Sequence, residues 1–205
     1  MFKKLLLNFT IGVGMMFSTL TTQAQTLEQG DKAIDIYYGF ASVVGQATFE
    51  AFAEGGDNSN FKYIGPIGAR FEYMASEKMG VGFEFNYTLG EATWTADVTD
   101  SITSVTKTYN YKIKRDLIRF MPRFNVHFGG SESFDGYFGV AAGYRYAKWT
   151  LETDDEDYEG DFGGIPLAIR ISLGGRYYFT DNIGLHMELG LGGGTLIHGG
   201  LSFKF

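Results

Sequence analysis

Eight stretches of this chain alternate apolar and polar residues with period two, and nothing else in the sequence restricts the possible folds as strongly. In "DKAIDIYYGFASV", Ile34, Ile36, Tyr38 and Phe40 share one face, and Asp35, Tyr37, Gly39 and Ala41 the other. "GARFEYM" and "VGFEFNYTL" set Ala69, Phe71, Tyr73, Val81, Phe83, Phe85 and Tyr87 against Gly68, Arg70, Glu72, Gly82, Glu84, Asn86 and Thr88. "IRFMPRFNVHF", "YFGVAAGYRYAKW", "PLAIRISLGGRYYF", "LHMELGLGG" and "LIHGGLSFKF" continue the scheme to the C-terminus. Side chains of an extended strand point to opposite faces in turn, so this period predicts strands with one apolar and one polar side. No convincing run of period 3.6 competes with it.

The links between these stretches alternate in length. Long polar links fall at about 44–62, 90–108 and 150–164, whereas "ASEKMG", "GGSESFD" and "TDNIG" are short. Only the last link, around "GGGT", is short where a long one is expected. Short turns at one end and long loops at the other predict an all-β, eight-stranded antiparallel up-and-down barrel. The Thr-rich stretch "TWTADVTDSITSVTKTYNYKIK" predicts a third and fourth strand that continue beyond the barrel as a protruding hairpin, whose edge suits strand addition by a partner.

Which face points outward follows from volume. Phe71, Phe83, Phe85, Tyr87, Phe120, Phe124, Phe138 and Tyr144 would overfill the lumen of eight strands, which is only wide enough for ordinary side chains. The opposite face carries Gly68, Gly82, Gly139, Gly143, Gly174 and Gly190 beside Arg and Glu. Glycine weakens a strand at a solvated surface but fits a cramped interior. An apolar outside requires lipid, and closure of the barrel satisfies the backbone groups there. Tyr38, Phe40, Tyr73, Tyr146 and Phe179 are placed to form interfacial girdles.

Composition adds limits. The 29 Gly, about 14% of 205 residues, accompany only 3 Pro, which is not the mixture of a disordered chain. There is no Cys, hence no disulfide framework and no Cys-based zinc site. Residues 1–24 read as a cleaved signal peptide, with Lys3 and Lys4, then an apolar stretch interrupted by Asn8 and Thr10, then "TTQAQ" with cleavage after Ala24. That stretch is shorter than the roughly 20 residues a spanning helix needs. The domain plan is therefore a signal peptide, 1–24, and a barrel, 25–205. Losing Lys3 and Lys4 takes the formal charge from −7 to −9, which argues against nucleic acid as a partner.

The terminal "GGLSFKF", with Leu201, Phe203 and Phe205 alternating back from a final Phe, resembles the carboxy-terminal signal of outer-membrane barrels. The mature chain as a whole resembles the small OmpA/OmpX-type barrels and the porin-family β-barrels of Gram-negative bacteria. That resemblance implies an outer-membrane location with both termini periplasmic, a surrounding of outer-membrane lipid and lipopolysaccharide, recognition by the barrel-assembly machinery, and an extracellular ligand at the long loops. It is a resemblance of pattern, so it implies class and location more than activity.

Candidate sites are few. Glu72, Glu84 and Glu188 fall on the inward face in the half nearer the short turns, with Arg70, Arg123 and Arg176 in the same layer and Arg119, Arg145 and Arg170 higher. Charges so confined must pair, since an unpaired buried ion is costly to desolvate. His127 and His186 share this polar interior, and His198 and Ser202 lie on the same face of the last strand. "ETDDEDYEGD" has seven acids in ten residues; Asp155, Asp157, Glu159 and Gly160 imitate the start of a calcium loop, but Pro166 stands where its bidentate Glu belongs. A solvated acidic loop is the expectation. "GLGGG" reads as a turn, because no helix follows to bind a phosphate. Trp94 and Trp149 read as rim anchors or ligand contacts. No cofactor, metal or catalytic residue is expected. Three functions remain: a structural or adhesive barrel acting through its loops with a plugged lumen, a narrow channel for small solutes, and a lipid-modifying enzyme. The first is preferred, because aqueous channels appear only at about sixteen strands.

Overall fold

The computed structural model describes residues 26–40, 57–99, 104–128, 131–154 and 165–205. The signal-peptide stretch, most of the first long link and residues 155–164, with most of the acidic run, lie outside these described residues. Eight strands follow in chain order: β1 Lys32–Phe40, β2 Asp57–Ser76, β3 Met79–Thr99, β4 Thr106–Phe128, β5 Phe134–Thr153, β6 Leu167–Tyr178, β7 Ile183–Gly192 and β8 Ile197–Lys204. Each pairs antiparallel with the next, and β1 pairs with β8 through Ile34↔Phe203 and Ile36↔Leu201, which closes the sheet. The all-β, eight-stranded antiparallel barrel expected from the period-two pattern is the fold observed.

The alternation sorts the side chains as expected. In β1, Ile34, Ile36, Tyr38 and Phe40 are exposed while Asp35 and Tyr37 are buried in the lumen. The same outer surface carries Phe83, Phe85, Phe120, Val140, Ile169, Leu173, Leu185 and Met187, all exposed. Tyr38, Phe40, Tyr73, Tyr146 and Phe179 lie exposed on it as well. The result is an apolar band around a polar interior, the reverse of a water-soluble barrel.

The strands differ in length. β1, β6, β7 and β8 have 8 to 12 residues, and β2 to β5 have 20 to 23. A tilted membrane strand needs about 9–11, so β2 to β5 continue for about another ten residues on the side away from the short turns. While 93–99 and 106–108 continue β3 and β4 as the Thr-rich stretch predicts, the expected link boundaries are corrected at 57–62, 90–92 and 150–153, which belong to strands. Their polar composition hid them, yet threonine suits a pleated sheet, and the pairing is satisfied by contacts such as Thr108 Oγ1 to Asp97 (2.6 Å). The base of the protrusion is broader than a hairpin, since β2 flanks β3 up to Asp57↔Thr95 and β5 flanks β4 up to Tyr111↔Thr153. Beyond these, among the described residues, β3 and β4 pair only with each other up to Thr99↔Thr106, so the tip is the expected protruding hairpin with its edges unpaired.

The outer face changes character where the protrusion begins. Above Tyr87, Ile118 and Tyr146, Lys112 pairs with Glu91 (3.8 Å) and Glu152 (3.4 Å), and Lys114 with Asp116 (3.8 Å). Charged ladders replace the apolar band.

The β7–β8 link explains its own brevity. Instead of leaving the barrel it folds into the lumen: Arg170 Nη1 donates to the carbonyls of Gly192 (2.9 Å) and Thr195 (3.0 Å), and Asn86 Nδ2 to that of Gly193 (3.2 Å). Gly192 holds φ +75°, and a Cβ there would sit 2.2 Å from the Ile169 carbonyl oxygen. Gly192→Ala is therefore expected to lower unfolding stability by about 1–3 kcal/mol, read as a shift of the denaturant midpoint of the protein in detergent.

Candidate functional site: the ionic lumen

Closure of eight strands brings one inward residue of each to the barrel axis, and in the half near the short turns these residues are charged. Glu188 on β7 is the hub. Its carboxylate accepts from Arg123 Nη2 on β4 (2.6 Å), Arg170 Nε on β6 (2.9 Å) and His198 Nε2 on β8 (3.0 Å), and lies 2.8 Å from Arg70 Nη2 on β2. Glu84 on β3 accepts from Arg123 Nη1 (2.9 Å) and the Tyr37 hydroxyl of β1 (2.5 Å). Below them, Arg176 donates to Glu72 (2.6 Å) and Asp35 (2.8 Å), and lies 3.3 Å from Asp135. His127 bridges Asp135 (2.8 Å) and Glu72 (3.1 Å). Tyr137 of β5 fills the centre: its hydroxyl accepts from Arg70 (2.7 Å) and donates to Glu188 (3.1 Å), and its ring lies 4.8 Å from the Arg176 guanidinium carbon.

Room for these long side chains comes from glycine on the neighbouring strand. A Cβ on Gly68 would strike the Tyr37 ring, one on Gly174 the Tyr137 ring, and one on Gly190 the Arg170 guanidinium, all within 2.5 Å. Of the inward glycines singled out in the sequence, Gly68, Gly139, Gly174 and Gly190 thus make room for large polar side chains, whereas Gly82 and Gly143 lie against the backbone of the neighbouring strand.

Of the residues expected in the ionic cluster, Arg70, Glu72, Glu84, Arg123, Arg176 and Glu188 meet as a layer of ion pairs. Arg170 is a correction: its backbone is higher, but its side chain reaches down over Gly190 to Glu188. Arg119 and Arg145 are a second correction, because among the described residues neither meets a carboxylate. Arg119 donates to Asn86 (2.9 Å) and Thr88 (3.3 Å), and the buried Nε of Arg145 has no hydrogen-bond partner among the described residues. The buried apolar residues Met121, Ala141 and Ala168 pack beside these two arginines on β4, β5 and β6, and on the β3 side Asn86 links Arg119 to Glu84 of the cluster (3.4 Å).

Asp35, Tyr37, Asp135 and Tyr137 were not named as members. Asp35, Tyr37 and Tyr137 already shared the inward parity of their strands. Asp135 fell in a stretch read as a turn, because β5 begins at Phe134, earlier than the apolar alternation shows. His198 turns to Glu188, and Ser202 has Tyr178 as its hydroxyl partner (3.0 Å), so these two do not form a nucleophile and base. Leu201 and Phe203 pair with β1, and Phe205 exchanges backbone hydrogen bonds with Lys32 (2.9 and 3.0 Å), which places the C-terminal stretch in the closing seam.

Trp94 and Trp149 are not rim anchors. They continue the inward parity into the protrusion and pack with Phe61 and Leu151 on buried Ala92 and Ile113. Trp94 stacks on Tyr111 with centroids 5.5 Å apart. Beside this stack is a cleft of about 550 Å³ lined by Asn58, Asn110, Lys112 and Asp154 among others. Asn110 donates to Asp154 from its backbone (2.7 Å) and its amide (3.1 Å), which holds that carboxyl below the usual carboxylate range.

The fold and lumen thus define a closed barrel, apolar outside and ionic inside. No protein-family model matches the chain, and no curated protein matches it. Among solved structures it is similar to the N-terminal β-barrel domain of Pseudomonas aeruginosa OprF, at 13% identity and TM-score 0.42 over 87% of this chain and 100% of that one. It is also similar to outer membrane protein OprG of the same organism, at 12% identity and TM-score 0.44 over 89% and 99%. A third is Ail, the attachment invasion locus protein of Yersinia pestis, at 14% identity and TM-score 0.41 over 86% and 99%.

Removing the hub acid leaves three guanidinium groups without their shared counter-charge. Glu188→Ala is expected to destabilise by about 3–5 kcal/mol, whereas Glu91→Ala, which removes one half-exposed pairing with Lys112, costs about 0–1 kcal/mol. Unfolding midpoints of both variants in the same detergent give the comparison.

Proposed function

We propose that this protein is an integral outer-membrane barrel that does not conduct or catalyse, and that presents the four-stranded protrusion of β2 to β5 as a surface for interaction outside the cell. The observation that carries this reading is the contrast along the barrel axis. An apolar band meets the requirement of a bilayer, the lumen inside it is crossed by ion pairs and the inturned β7–β8 link, and the long strands continue past it with charged outer faces. A lumen occupied by paired side chains has no continuous aqueous path, so function is left to the exterior. The cleft beside Trp94 and Tyr111, with amide and carboxylate groups around an aromatic stack, is the most site-like feature of that exterior. Both termini lie at the end of the short turns, which is the periplasmic side if the protrusion is outside.

The absence of Cys makes the topology easy to test. Lys107→Cys, in the protrusion, should react with a membrane-impermeant maleimide on intact cells, and Glu77→Cys, in a short turn, only after the outer membrane is permeabilised. The reverse pattern would invert the model. In planar bilayers the wild type should show no steady current; a stable single-channel conductance would favour the narrow channel instead.

A further inference from the structure

The lumen holds two populations of arginine that differ in what surrounds them. Arg70, Arg123, Arg170 and Arg176 share the carboxylates of Asp35, Glu72, Glu84, Asp135 and Glu188. His127 lies between two of those carboxylates, so the inner half is close to balanced. Arg119 and Arg145, on the far side of the Met121, Ala141 and Ala168 group, have no carboxylate within ion-pair distance among the described residues. They are also direct register partners on β4 and β5, and inward residues so opposed have Cβ atoms about 4.5–5.5 Å apart. Like charges directly opposite destabilise a sheet. Arg115, two inward positions higher on β4 beyond Leu117, adds a third positive charge, and both Arg115 and Arg145 act on Arg119 as like charges.

Arg145 sharpens the point. Its Nε is buried and has no hydrogen-bond partner among the described residues. A buried donor left unsatisfied is expensive, and two facing arginines more so, unless something external supplies the acceptors. All three residues are only partly buried, so an anion in solution can reach them. Tyr63 of β2, opposite the small Gly90, acts on Arg119 as well. Neutral ligands leave the repulsion in place. An oxyanion cancels it, and the planar forks of arginine match its geometry.

We propose that the outer half of the lumen holds a soluble oxyanion, a phosphate or sulfate group bound between the guanidinium groups of Arg119 and Arg145. Beneath the pair lie Met121, Ala141 and Ala168, the Asn86 amide that links Arg119 to Glu84, and the inturned β7–β8 link held by Asn86 and Arg170, so the anion is bound at the end of a filled lumen and not at a stage in permeation. A group carried on a lipid would have to cross the barrel wall, so the ligand enters from the extracellular mouth.

Inorganic pyrophosphate is the probe, titrated calorimetrically into the purified protein in neutral detergent at low salt. Binding is expected, weakening with ionic strength, and at least about tenfold weaker in Arg145→Met and in Arg119→Met. The second readout is thermal unfolding. Without anion, Arg145→Met should unfold no earlier than wild type, because it removes an unpartnered charge, and pyrophosphate should raise the midpoint of the wild type but not of this variant. Absence of pyrophosphate binding overturns the proposal, as does an equal shift in both proteins. Early unfolding of Arg145→Met without anion also overturns it, by showing that Arg145 has partners of its own. Competition by lipopolysaccharide in mixed micelles would overturn the soluble source.

Discussion

The carboxylate of Glu188 meets arginines from β2, β4 and β6 and a histidine from β8, and the rest of the barrel is arranged around that convergence. A sheet of eight strands closes on a lumen too narrow for water to solvate ions freely. In the half near the short turns every charge therefore finds its opposite among side chains from other strands. Asp35, Arg70, Glu84, Arg123, Tyr137, Arg176, Glu188 and His198 supply one participant from each of the eight strands. Neighbouring strands are joined by their backbone ladders, and strands on opposite walls by this network. Its acids and bases come from segments far apart in sequence, so only the closed register satisfies it. A slip of one residue in any strand would turn its charged member toward lipid.

Local requirements follow from the same constraint. Arginine and tyrosine side chains must lie flat to reach the axis, which requires glycine where they cross the next strand, as at Gly68, Gly174 and Gly190. The abundance of glycine, odd for a strand-rich chain, is the complement of the abundance of large polar residues inside. Outside, the same strands present Phe, Leu, Ile and Val, which stabilise the barrel only against an apolar surrounding. The two faces thus specify one another: an interior satisfied by ion pairs frees the exterior to be uniformly apolar.

Much of this was legible in the sequence because period two assigns each residue a side. Arg70, Glu84 and Arg123 could be placed inside, and Phe83 and Phe85 outside, without coordinates. Legibility failed where the physical contrast between faces vanishes. The stretch 57–60 is polar on both sides, so it reads as loop although Asp57 and Asn60 pair with β3. Residues 90–99 keep an alternation, with Ala92 and Trp94 inward and Glu91 and Thr93 outward, but its outer face is polar, and Trp94 in a long polar link reads as a rim residue. Reach was a different obstacle. Register gives the height of a Cα, whereas the Arg170 guanidinium acts well below its backbone and Arg145, at a similar expected height, meets no carboxylate among the described residues. The protrusion and the facing pair Arg119 and Arg145 are the parts of the molecule that interior closure does not explain, and both lie toward the same end.

The claim that the inner charges form a dry, mutually satisfied cluster is tested most directly by a double-mutant cycle between Glu188 and Arg123, using Glu188→Gln and Arg123→Met and measuring unfolding free energies in lipid vesicles. Across their 2.6 Å contact the account predicts a favourable coupling at the upper end of the usual range of about 0.5–3 kcal/mol. A coupling indistinguishable from zero, with each single variant costing less than about 1 kcal/mol, would mean that water and ions screen the pair, and that the lumen is an open, hydrated passage.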